Sequence, residues 1–217
     1  MLKLVCFPGW SAQRLLSSWQ GHPAHTIPHT EQWAFLSTHL PAPEEWLPST
    51  PWVMVTWSMG TFTGLKLSNL WGTRAPKAWL ALSPFIQLAG PAHCKIRVEE
   101  LRLLHQSFVA QPEKTLDFFC RQHGGKMSWS DGPQPEHFAS ILTHSLEALL
   151  KPAPFLPPEP LQIPTWAILG ERDRLVNTAM VDDFCQHFTQ PHRVVLEQKG
   201  HGLFYEDFPL WPKELTE

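Results

Sequence analysis

Short, continuous apolar runs alternate with longer amphipathic stretches along most of the chain. Five apolar runs have the length of buried strands, and they cover residues 2–7, 51–57, 78–83, 165–170 and 193–197. Helices are predicted where apolar residues recur three and four positions apart, at residues 31–39, 61–70 and 177–188. A turn or two of helix is expected at residues 12–19, and a short strand at residues 24–27. Because strands alternate with helices, the pattern predicts an α/β fold with a mostly parallel sheet.

The middle of the chain lacks this alternation. Residues 98–110, 113–123 and 135–149 each show helical periodicity, and no strand-like run separates them. The Pro-rich stretch 152–160 then leads back into the strand pattern. We therefore expect a core made of residues 1–84 and 152–217, and an inserted helical segment, the lid, made of residues 85–151.

A single serine lies at the turn between the strand at residues 51–57 and the helix that follows. In such a strand–turn–helix elbow, the Ser58 hydroxyl is held clear of the sheet, and the next backbone N–H points to the same place. The elbow favours small residues two positions before and after the serine, because these positions are expected to pack against each other. Gly60 satisfies this requirement, whereas Thr56 predicts a slightly more crowded elbow. Since Ser-x-Gly also occurs in ordinary strand–turn–helix junctions, the motif alone leaves both interpretations open.

Three residues that could act together each follow a predicted strand. Ser58, Asp173 and His201 would therefore lie at one edge of the parallel sheet. A serine hydroxyl is a weak nucleophile at neutral pH, so a neutral histidine must accept its proton and a carboxylate must orient that histidine. Asp173 is favoured over Asp182 and Asp183, which lie within a predicted helix. The order Ser, Asp, His along the chain is that of the α/β-hydrolases, and it predicts a catalytic triad.

Acyl transfer also requires hydrogen-bond donors for the oxyanion. The backbone N–H of Met59 directly follows the serine, and that of Trp10 lies in the loop after the first strand, where a second donor is expected. An apolar tunnel for an acyl chain is expected between the lid and the elbow. The residues predicted to bind the substrate there are Trp57, Phe85, Phe108 and Phe119.

Composition and charge exclude several classes of protein. The 217 residues suit one globular chain with a full core, since 43% are apolar and 17% are charged. The net charge of −3, without a Lys/Arg run, argues against nucleic-acid binding. The chain has no run of about eighteen apolar residues that would predict a membrane span. The wide spacing of the cysteines favours free thiols and a cytoplasmic location, and these residues are Cys6, Cys94, Cys120 and Cys185.

Three histidines lie close together in a Pro-rich stretch before the helix predicted at residues 31–39. They are His22, His25 and His29. A metal site would require further ligands at suitable spacing, and no carboxylate or cysteine accompanies these histidines at ligand spacing. We therefore expect a solvated loop there, and neither a metal nor a cofactor in the protein.

Four motifs surround the candidate residues: FPGW at residues 7–10, TWSMG at 56–60, ILGERDRLV at 168–176 and GH at 200–201. Together with the lid segment 98–121, they resemble the pimeloyl-ACP methyl ester esterases of biotin synthesis. The resemblance implies an α/β-hydrolase fold with a helical lid inserted after the strand that follows the nucleophile helix. Compared with that family, the chain begins at the third strand, so we expect a sheet that is trimmed at its N-terminal edge.

The resemblance also assigns roles and a substrate. It implies that Ser58 is the nucleophile, His201 the base, Asp173 the carboxylate that orients it, and Trp10 and Met59 the oxyanion donors. The implied substrate is the methyl ester of pimeloyl-ACP, which would be cleaved to pimeloyl-ACP and methanol without a cofactor. Two other functions stay open. One is a general short-acyl esterase or thioesterase with the same triad, and the other is an inactive acyl-binding protein, which Thr56 alone would support.

The resemblance further implies a monomeric enzyme that binds an acyl carrier protein, which is a strongly acidic partner. The basic residues in or near the lid that could receive it are Lys95, Arg97, Arg102, Lys114, Arg121 and Lys126. Acidic residues lie among them, so a solvated helix face explains the same pattern equally well.

Overall fold

In the computed structural model, the described residues are 3–10, 18–19, 21–37, 44–91, 93–94, 96–123, 135–151, 153 and 155–203. Several expectations fall outside this part of the chain: most of the helical turn at residues 12–19, the basic residues Lys95 and Lys126, and everything after residue 203. Residues 18–19, at the end of that expected turn, form a strand rather than a helix.

One sheet of seven strands organises the described residues. The strands are β1 (Lys3–Phe7), β2 (Ser18–Trp19), β3 (His22–Thr26), β4 (Trp52–Trp57), β5 (Ala78–Leu82), β6 (Thr165–Gly170) and β7 (Pro191–Leu196). Their order is β2-β3-β1-β4-β5-β6-β7, and every neighbouring pair is parallel except β2 with β3. The prediction of an α/β fold with a mostly parallel sheet is therefore confirmed.

The described helices follow the predicted pattern closely. They are α1 (His29–Ser37), α2 (Gly60–Ser68), α3 (Val98–Ala110), α4 (Pro112–His123), α5 (Pro135–Ala148) and α6 (Thr178–Cys185), with short 3-10 turns at Glu44–Trp46 and Gly72–Arg74. Capping explains where α6 begins, because the Asn177 side chain accepts a hydrogen bond of 3.0 Å from the backbone N–H of Met180. No described helix is long and apolar enough to cross a membrane.

The central strands are buried on both faces, as expected of the central strands of a parallel sheet. Every residue of β4 and of β5 is buried. Alternate residues point to opposite faces, so Met54 joins a large core cluster with Trp79, whereas Val53 and Val55 join a smaller cluster on the other face. Because nearly every residue in such a run is apolar, the sequence alone does not show which face of the sheet each residue lies on.

The lid contributes helices α3, α4 and α5, which lie between β5 and β6 in the chain. Helix α3 packs against α4 and α5, and α5 also contacts α1. Leu101, Phe108, Leu116 and Leu142 of these helices are buried in the same large cluster as Met54. The lid therefore shares one core with the face of the sheet that carries α1 and α2.

Candidate active site

Ser58 lies in a strained turn between β4 and α2. Its φ is 53°, in the left-handed region that residues with a Cβ seldom adopt. The backbone N–H of Ser58 donates to the carbonyl of Leu82 at 2.9 Å, which ties the turn to the end of β5. The side chain is held at the carboxyl edge of the sheet and is 8% exposed. This is the strand–turn–helix elbow that the sequence predicts.

Two glycines let the loop after β1 pack directly on this elbow. A Cβ at Gly60 would overlap the carbonyl oxygen of Phe7, and a Cβ at Gly9 would lie 2.8 Å from the Cβ of Ser58. Real Cβ atoms do not approach other atoms so closely, so both positions require glycine. The close packing brings the backbone of Gly9 and Trp10 beside the serine.

Thr56 and Gly60, the two positions on either side of Ser58, each have close neighbours outside the elbow. Gly60 meets the backbone of Phe7, whereas the Thr56 methyl group faces Gly64, one turn later in α2, at 3.0 Å from the place of a Cβ. The Thr56 hydroxyl accepts a hydrogen bond of 2.8 Å from the indole N–H of Trp79. Thr56 is therefore accommodated between α2 and β5, with its hydroxyl group hydrogen-bonded.

The structure brings the three predicted triad residues into one hydrogen-bonded chain. The Ser58 hydroxyl oxygen is 3.0 Å from Nε2 of His201, and Nδ1 of His201 is 2.8 Å from Oδ2 of Asp173. The carboxylate can only accept, so this chain assigns the imidazole proton to Nδ1 and leaves Nε2 to accept from the serine. All three side chains are buried, which shields the chain from bulk water.

Asp173 lies in the turn after β6, and both of its oxygens have partners. Oδ1 accepts from the backbone N–H groups of Leu175 and Val176 at 2.8 and 2.9 Å. Burial raises the pKa of this carboxyl, but the charge of His201 and hydrogen bonds from His201, Val176 and Ser83 outweigh burial and lower the pKa to about 2. Asp173 is therefore a carboxylate at neutral pH.

His201 is held at its backbone by Trp57. The Trp57 indole N–H donates to the His201 carbonyl at 2.7 Å, and the two ring centroids are 5.5 Å apart. Trp57 belongs to the smaller core cluster with Val53 and Val55, because residues two apart on a strand share a face. It does not line the cavity described below, so Trp57 supports the loop of His201 rather than the predicted substrate pocket.

The two predicted oxyanion donors come from segments that meet at the serine. Met59 directly precedes α2, so its N–H lies at the positive end of the helix dipole. Trp10 follows Gly9, where a Cβ would be only 3.3 Å from the Ser58 hydroxyl oxygen. Within the described part of the chain, neither backbone N–H donates to an acceptor. These two backbone N–H groups remain the candidate donors for an oxyanion at Ser58.

A cavity of about 270 Å³ lies beside Ser58, with its walls formed largely by the lid. Among the described residues, the polar side chains in its lining are those of Ser58, Glu100 and His123. The apolar lining residues outside the predicted set are Leu88, Ile96, Leu101, Leu104, Phe118, Leu146, Leu149 and Leu175. Such a lining suits a hydrocarbon chain whose reacting end lies at the serine.

The predicted substrate contacts take different places around this cavity. Phe85 and Phe119 line it, and so does the side chain of Trp10. Phe108 lies behind Trp10, fully buried, with the two ring centroids 5.6 Å apart. Phe108 therefore supports the wall of the cavity without forming its surface.

The sequence pattern did not single out His123, the last residue of α4. Its ring lies 4.6 Å from that of Phe119 and 6.2 Å from that of His201, measured between centroids. Burial lowers its pKa to about 4, and the charges of His201 and Arg174 act in the same direction while that of Asp173 opposes them. His123 therefore places a neutral imidazole in a largely apolar wall. Only its spacing of four residues from Phe119 could have indicated this position.

His29 is also not in the solvated loop that we expected. It begins α1, is 1% exposed, and has Nε2 at 3.2 Å from the hydroxyl of Ser145 in α5. Burial lowers the pKa of His29 to about 3, so the ring is neutral. His22 and His25 lie on strand β3, with His25 exposed. The three histidines are thus divided between strand β3, which holds His22 and His25, and the core, which holds His29.

Sheet order, elbow and the position of the lid after β5 together give the α/β-hydrolase fold. Solved structures with this fold match nearly the whole chain. An esterase (EaEST) from Exiguobacterium antarcticum is similar with a TM-score of 0.69 and 15% identity, over 94% of this chain and 87% of that one. The RedJ thioesterase of the prodiginine biosynthetic pathway in Streptomyces coelicolor is similar with a TM-score of 0.58 and 16% identity, over 96% and 85%.

A hydrolase from Oleispira antarctica, olei00960, is similar with a TM-score of 0.67 and 11% identity, over 94% of this chain and 85% of that one. At identities this low, the likeness establishes the fold alone. No protein-family model matches the chain, and no curated protein matches it in sequence.

Proposed function

We propose that the protein is a serine carboxylic-ester hydrolase. The observation that carries this proposal is the buried chain from Ser58 through His201 to Asp173, next to an apolar cavity. A hydroxyl, an imidazole and a carboxylate in this arrangement are the groups that nucleophilic acyl transfer requires. Thr56, the one feature that favoured an inactive binding protein, packs between α2 and β5 and leaves this chain intact.

The geometry supports a reaction in two steps through an acyl-enzyme. Ser58 Oγ attacks the ester carbonyl while its proton passes to Nε2 of His201, and the backbone N–H groups of Trp10 and Met59 stabilise the resulting oxyanion. The imidazolium, stabilised by Asp173, then gives its proton to the leaving alcohol as the carbon–oxygen bond breaks. A water molecule attacks the acyl-enzyme in the same way, with His201 again taking and returning a proton, which releases the acid and restores the serine.

The apolar lining of the cavity favours an acyl substrate with a hydrocarbon chain. We propose the methyl ester of pimeloyl-ACP as the substrate, as the sequence motifs imply. Hydrolysis would release methanol and free the distal carboxylate of the acyl chain. The apolar lining favours the neutral ester over the charged product, because burying an unpaired carboxylate is costly.

An acyl carrier protein is the partner that this substrate requires. The side chains of Arg97 and Arg121 are 78% and 70% exposed on the lid, although each is paired on its own helix, with Glu100 at 3.3 Å and Asp117 at 2.7 Å. Exposed pairs of this kind contribute little to stability. Both arginines are therefore available to an acidic partner at little cost.

A thioester hydrolase is the second candidate, because it would use the same groups. The RedJ thioesterase, whose structure is similar to this chain, supports that alternative. The two functions differ in the leaving group, a small alcohol in one and a thiol in the other. Rates on methyl esters and thioesters of equal acyl length would therefore separate them.

The first experiment compares the wild-type chain with Ser58→Ala. We expect the wild type to hydrolyse medium-chain methyl esters and to react covalently with a fluorophosphonate, and Ser58→Ala to lose the labelling and about 10⁴-fold or more of kcat. Ser68→Ala is the matched control, since Ser68 is also buried but its hydroxyl donates to the Leu65 carbonyl at 2.7 Å, away from the cavity. Full activity in Ser58→Ala would rule out the proposed mechanism.

The substrate is tested by complementation of a biotin auxotroph that lacks its own pimeloyl methyl ester esterase. Growth with the wild type and with Ser68→Ala, but not with Ser58→Ala, is the expected result. If none of the three supports growth while the wild type hydrolyses model esters, the biotin substrate is excluded. The ratio of the methyl ester rate to the thioester rate then assigns the class of substrate.

A further inference from the structure

The indole of Trp10 is anchored to the lid. Its Nε1–H donates to the carbonyl oxygen of Leu142 in α5 at 3.1 Å, across 132 positions of sequence. The ring also packs edge-on against Phe108 of α3 and Phe119 of α4, with centroids 5.6 and 4.8 Å away. All three helices of the lid therefore contact this one side chain.

The Leu142 carbonyl belongs to a buried polar chain that reaches the core. The Ser145 hydroxyl donates to the same carbonyl at 3.0 Å, and the Ser145 oxygen is 3.2 Å from Nε2 of His29 in α1. Since the Ser145 proton is directed to Leu142, this geometry assigns the His29 proton to Nε2. His29, Leu142 and Ser145 are each at most 1% exposed. The lid carbonyl that holds Trp10 is thus fixed relative to the core.

The backbone of Trp10 has a separate part in the proposed reaction. Its N–H is one of the two proposed oxyanion donors, and it follows Gly9, which packs on Ser58. Glycine has little conformational preference of its own, so it does not fix the direction of the next N–H. The anchored side chain of Trp10 supplies that constraint.

We propose that Trp10 is a positioning residue through which the closed lid sets the oxyanion hole. This inference rests on the proposed ester hydrolysis and adds a coupling to it: the lid that binds the acyl chain also orients a donor for the transition state. A displacement of about 1 Å costs as much as 10²-fold in rate, and loss of one oxyanion donor costs about 10²–10³-fold in kcat. The hydrogen bond from Trp10 to Leu142 therefore acts on kcat rather than on substrate affinity.

Because the lid and the oxyanion donor are coupled in this way, the length of the acyl chain should affect the reaction rate. Phe119 contacts the Trp10 ring and also lines the cavity, so an acyl chain that fills the cavity holds the lid closed against the indole. Binding energy from a part of the substrate remote from the reacting carbonyl then appears in kcat. The wild-type kcat should therefore rise from acetyl to hexanoyl esters, and this rise should disappear when the indole N–H is removed.

Trp10→Phe is the test variant, because it keeps an aromatic ring and removes the donor. Trp52→Phe is the matched control, since the Trp52 indole N–H also donates to a carbonyl, that of Arg74 at 2.9 Å, far from the cavity. On p-nitrophenyl hexanoate we expect Trp10→Phe to lower kcat by about 10–100-fold with KM nearly unchanged. Trp52→Phe should leave both constants unchanged.

Two inhibitors distinguish a role of Trp10 in positioning the oxyanion donor from a role in packing alone. A hexyl boronic acid forms a tetrahedral adduct with the serine and needs the oxyanion hole, whereas 1-hexanol fills the cavity without a tetrahedral centre. In Trp10→Phe the inhibition constant of the boronic acid should rise by the same factor by which kcat falls. The inhibition constant of the alcohol should not change. Ser145→Ala should show the same signature with smaller factors, because it loosens the Leu142 carbonyl and leaves the indole in place.

The opposite pattern of effects on the kinetic and inhibition constants would overturn the inference. If KM and the alcohol constant change in Trp10→Phe while kcat and the boronic acid constant do not, Trp10 only lines the cavity. If Trp10→Phe does not fold, as judged by its thermal melt, an unchanged kcat and boronic acid constant in Ser145→Ala would overturn it as well. A wild type that hydrolyses no ester would instead refute the proposed function itself.

Discussion

At the residue scale, the strain at Ser58 is maintained by glycine contacts around it. A residue with a Cβ at a φ of 53° costs about 1–3 kcal/mol, which the surrounding packing must offset. Gly60 contributes to that packing, because it lets α2 begin directly against the carbonyl of Phe7. Since this contact is with backbone, no side-chain rotation can relieve an added methyl group there.

Gly60→Ala should therefore lower the free energy of unfolding by about 1–3 kcal/mol or more, as overpacking against a fixed backbone does. Urea denaturation measures this change. Gly200→Ala is the control for stability, because a Cβ at Gly200 would meet nothing within 4 Å, and its effect should stay within about 0.5 kcal/mol. Equal effects of the two substitutions would show that α2 can shift away from β1 without cost.

The sequence allowed the residues of the hydrogen-bonded chain to be found, because Ser58, Asp173 and His201 each follow a strand and so had to meet at one edge. It did not allow Trp57 to be assigned to the correct face. Its strand is apolar on both faces, so the sequence contains no alternation from which a face could be chosen. His123 was missed for another reason, since a histidine in the last turn of an amphipathic helix is commonly a solvated helix end.

At the scale of elements, helix α2 lies unusually close to the sheet. A Cβ at Gly64 would overlap the indole ring of Trp79 and lie 3.0 Å from the Thr56 methyl group. Trp79 is fully buried, and its one polar atom donates to the Thr56 hydroxyl at 2.8 Å. The threonine that departs from the small residue expected in the elbow therefore satisfies a donor between β4, β5 and α2.

Thr56→Val keeps the shape of the side chain and removes the acceptor. It should destabilise the protein by about 1–3 kcal/mol, the cost of leaving the Trp79 N–H buried without a partner. Thr56→Ser keeps the acceptor and should retain more of the stability. Chemical denaturation of the two variants side by side decides the question. A Thr56→Val variant as stable as the wild type would mean that the hydrogen bond has no net value.

Helices of the lid were predicted almost to the residue, since apolar spacing of three and four positions was uninterrupted in α3 and α4. Strand β3 was predicted two residues too late, at 24–27 instead of His22–Thr26. Proline and histidine at its start conceal the strand pattern, and pairing with β1 rather than local preference makes it a strand. Tertiary contacts of this kind are not encoded in a local window of sequence.

At the scale of the whole molecule, buried neutral histidines link folding to pH. The folded pKa of His29 is about 3, below the value of about 6.5 expected for an unfolded chain. As the pH falls, the unfolded state therefore binds the proton first. The contribution of His29 to stability is complete above about pH 6.5 and is lost progressively as the pH falls toward 3. His123, with a pKa of about 4, acts in the same direction.

We expect the free energy of unfolding to be lower at pH 5 than at pH 7, with about 2 kcal/mol of the difference from His29. In His29→Gln that part of the difference should disappear, whatever the variant's stability at pH 7. His25→Gln is the control, because the His25 side chain is exposed on β3 rather than buried. Denaturant titrations at the two pH values provide the measurement. An unchanged pH dependence in His29→Gln would contradict the burial of a neutral ring.

The architecture as a whole could be predicted because the order of apolar runs and helices leaves few α/β arrangements. The bond from Trp10 to Leu142 could not, since it joins segments 132 positions apart that share no pattern. The contact between His29 and Ser145 could not be predicted either. His29 was expected in a solvated loop, but it lies in the core. Long-range polar contacts of this kind depend on how the lid docks, and docking is decided by packing rather than by periodicity.

The long separation between Ser58 and His201 has a consequence during synthesis. The two residues are 143 positions apart, so at about 5–20 residues per second the ribosome makes Ser58 roughly 7–30 s before His201. During that interval Ser58 has no imidazole to accept its proton, so the proposed nucleophile would not yet be activated. The hydrogen bond between Ser58 and His201 can form only after the segments on both sides of the lid have been made.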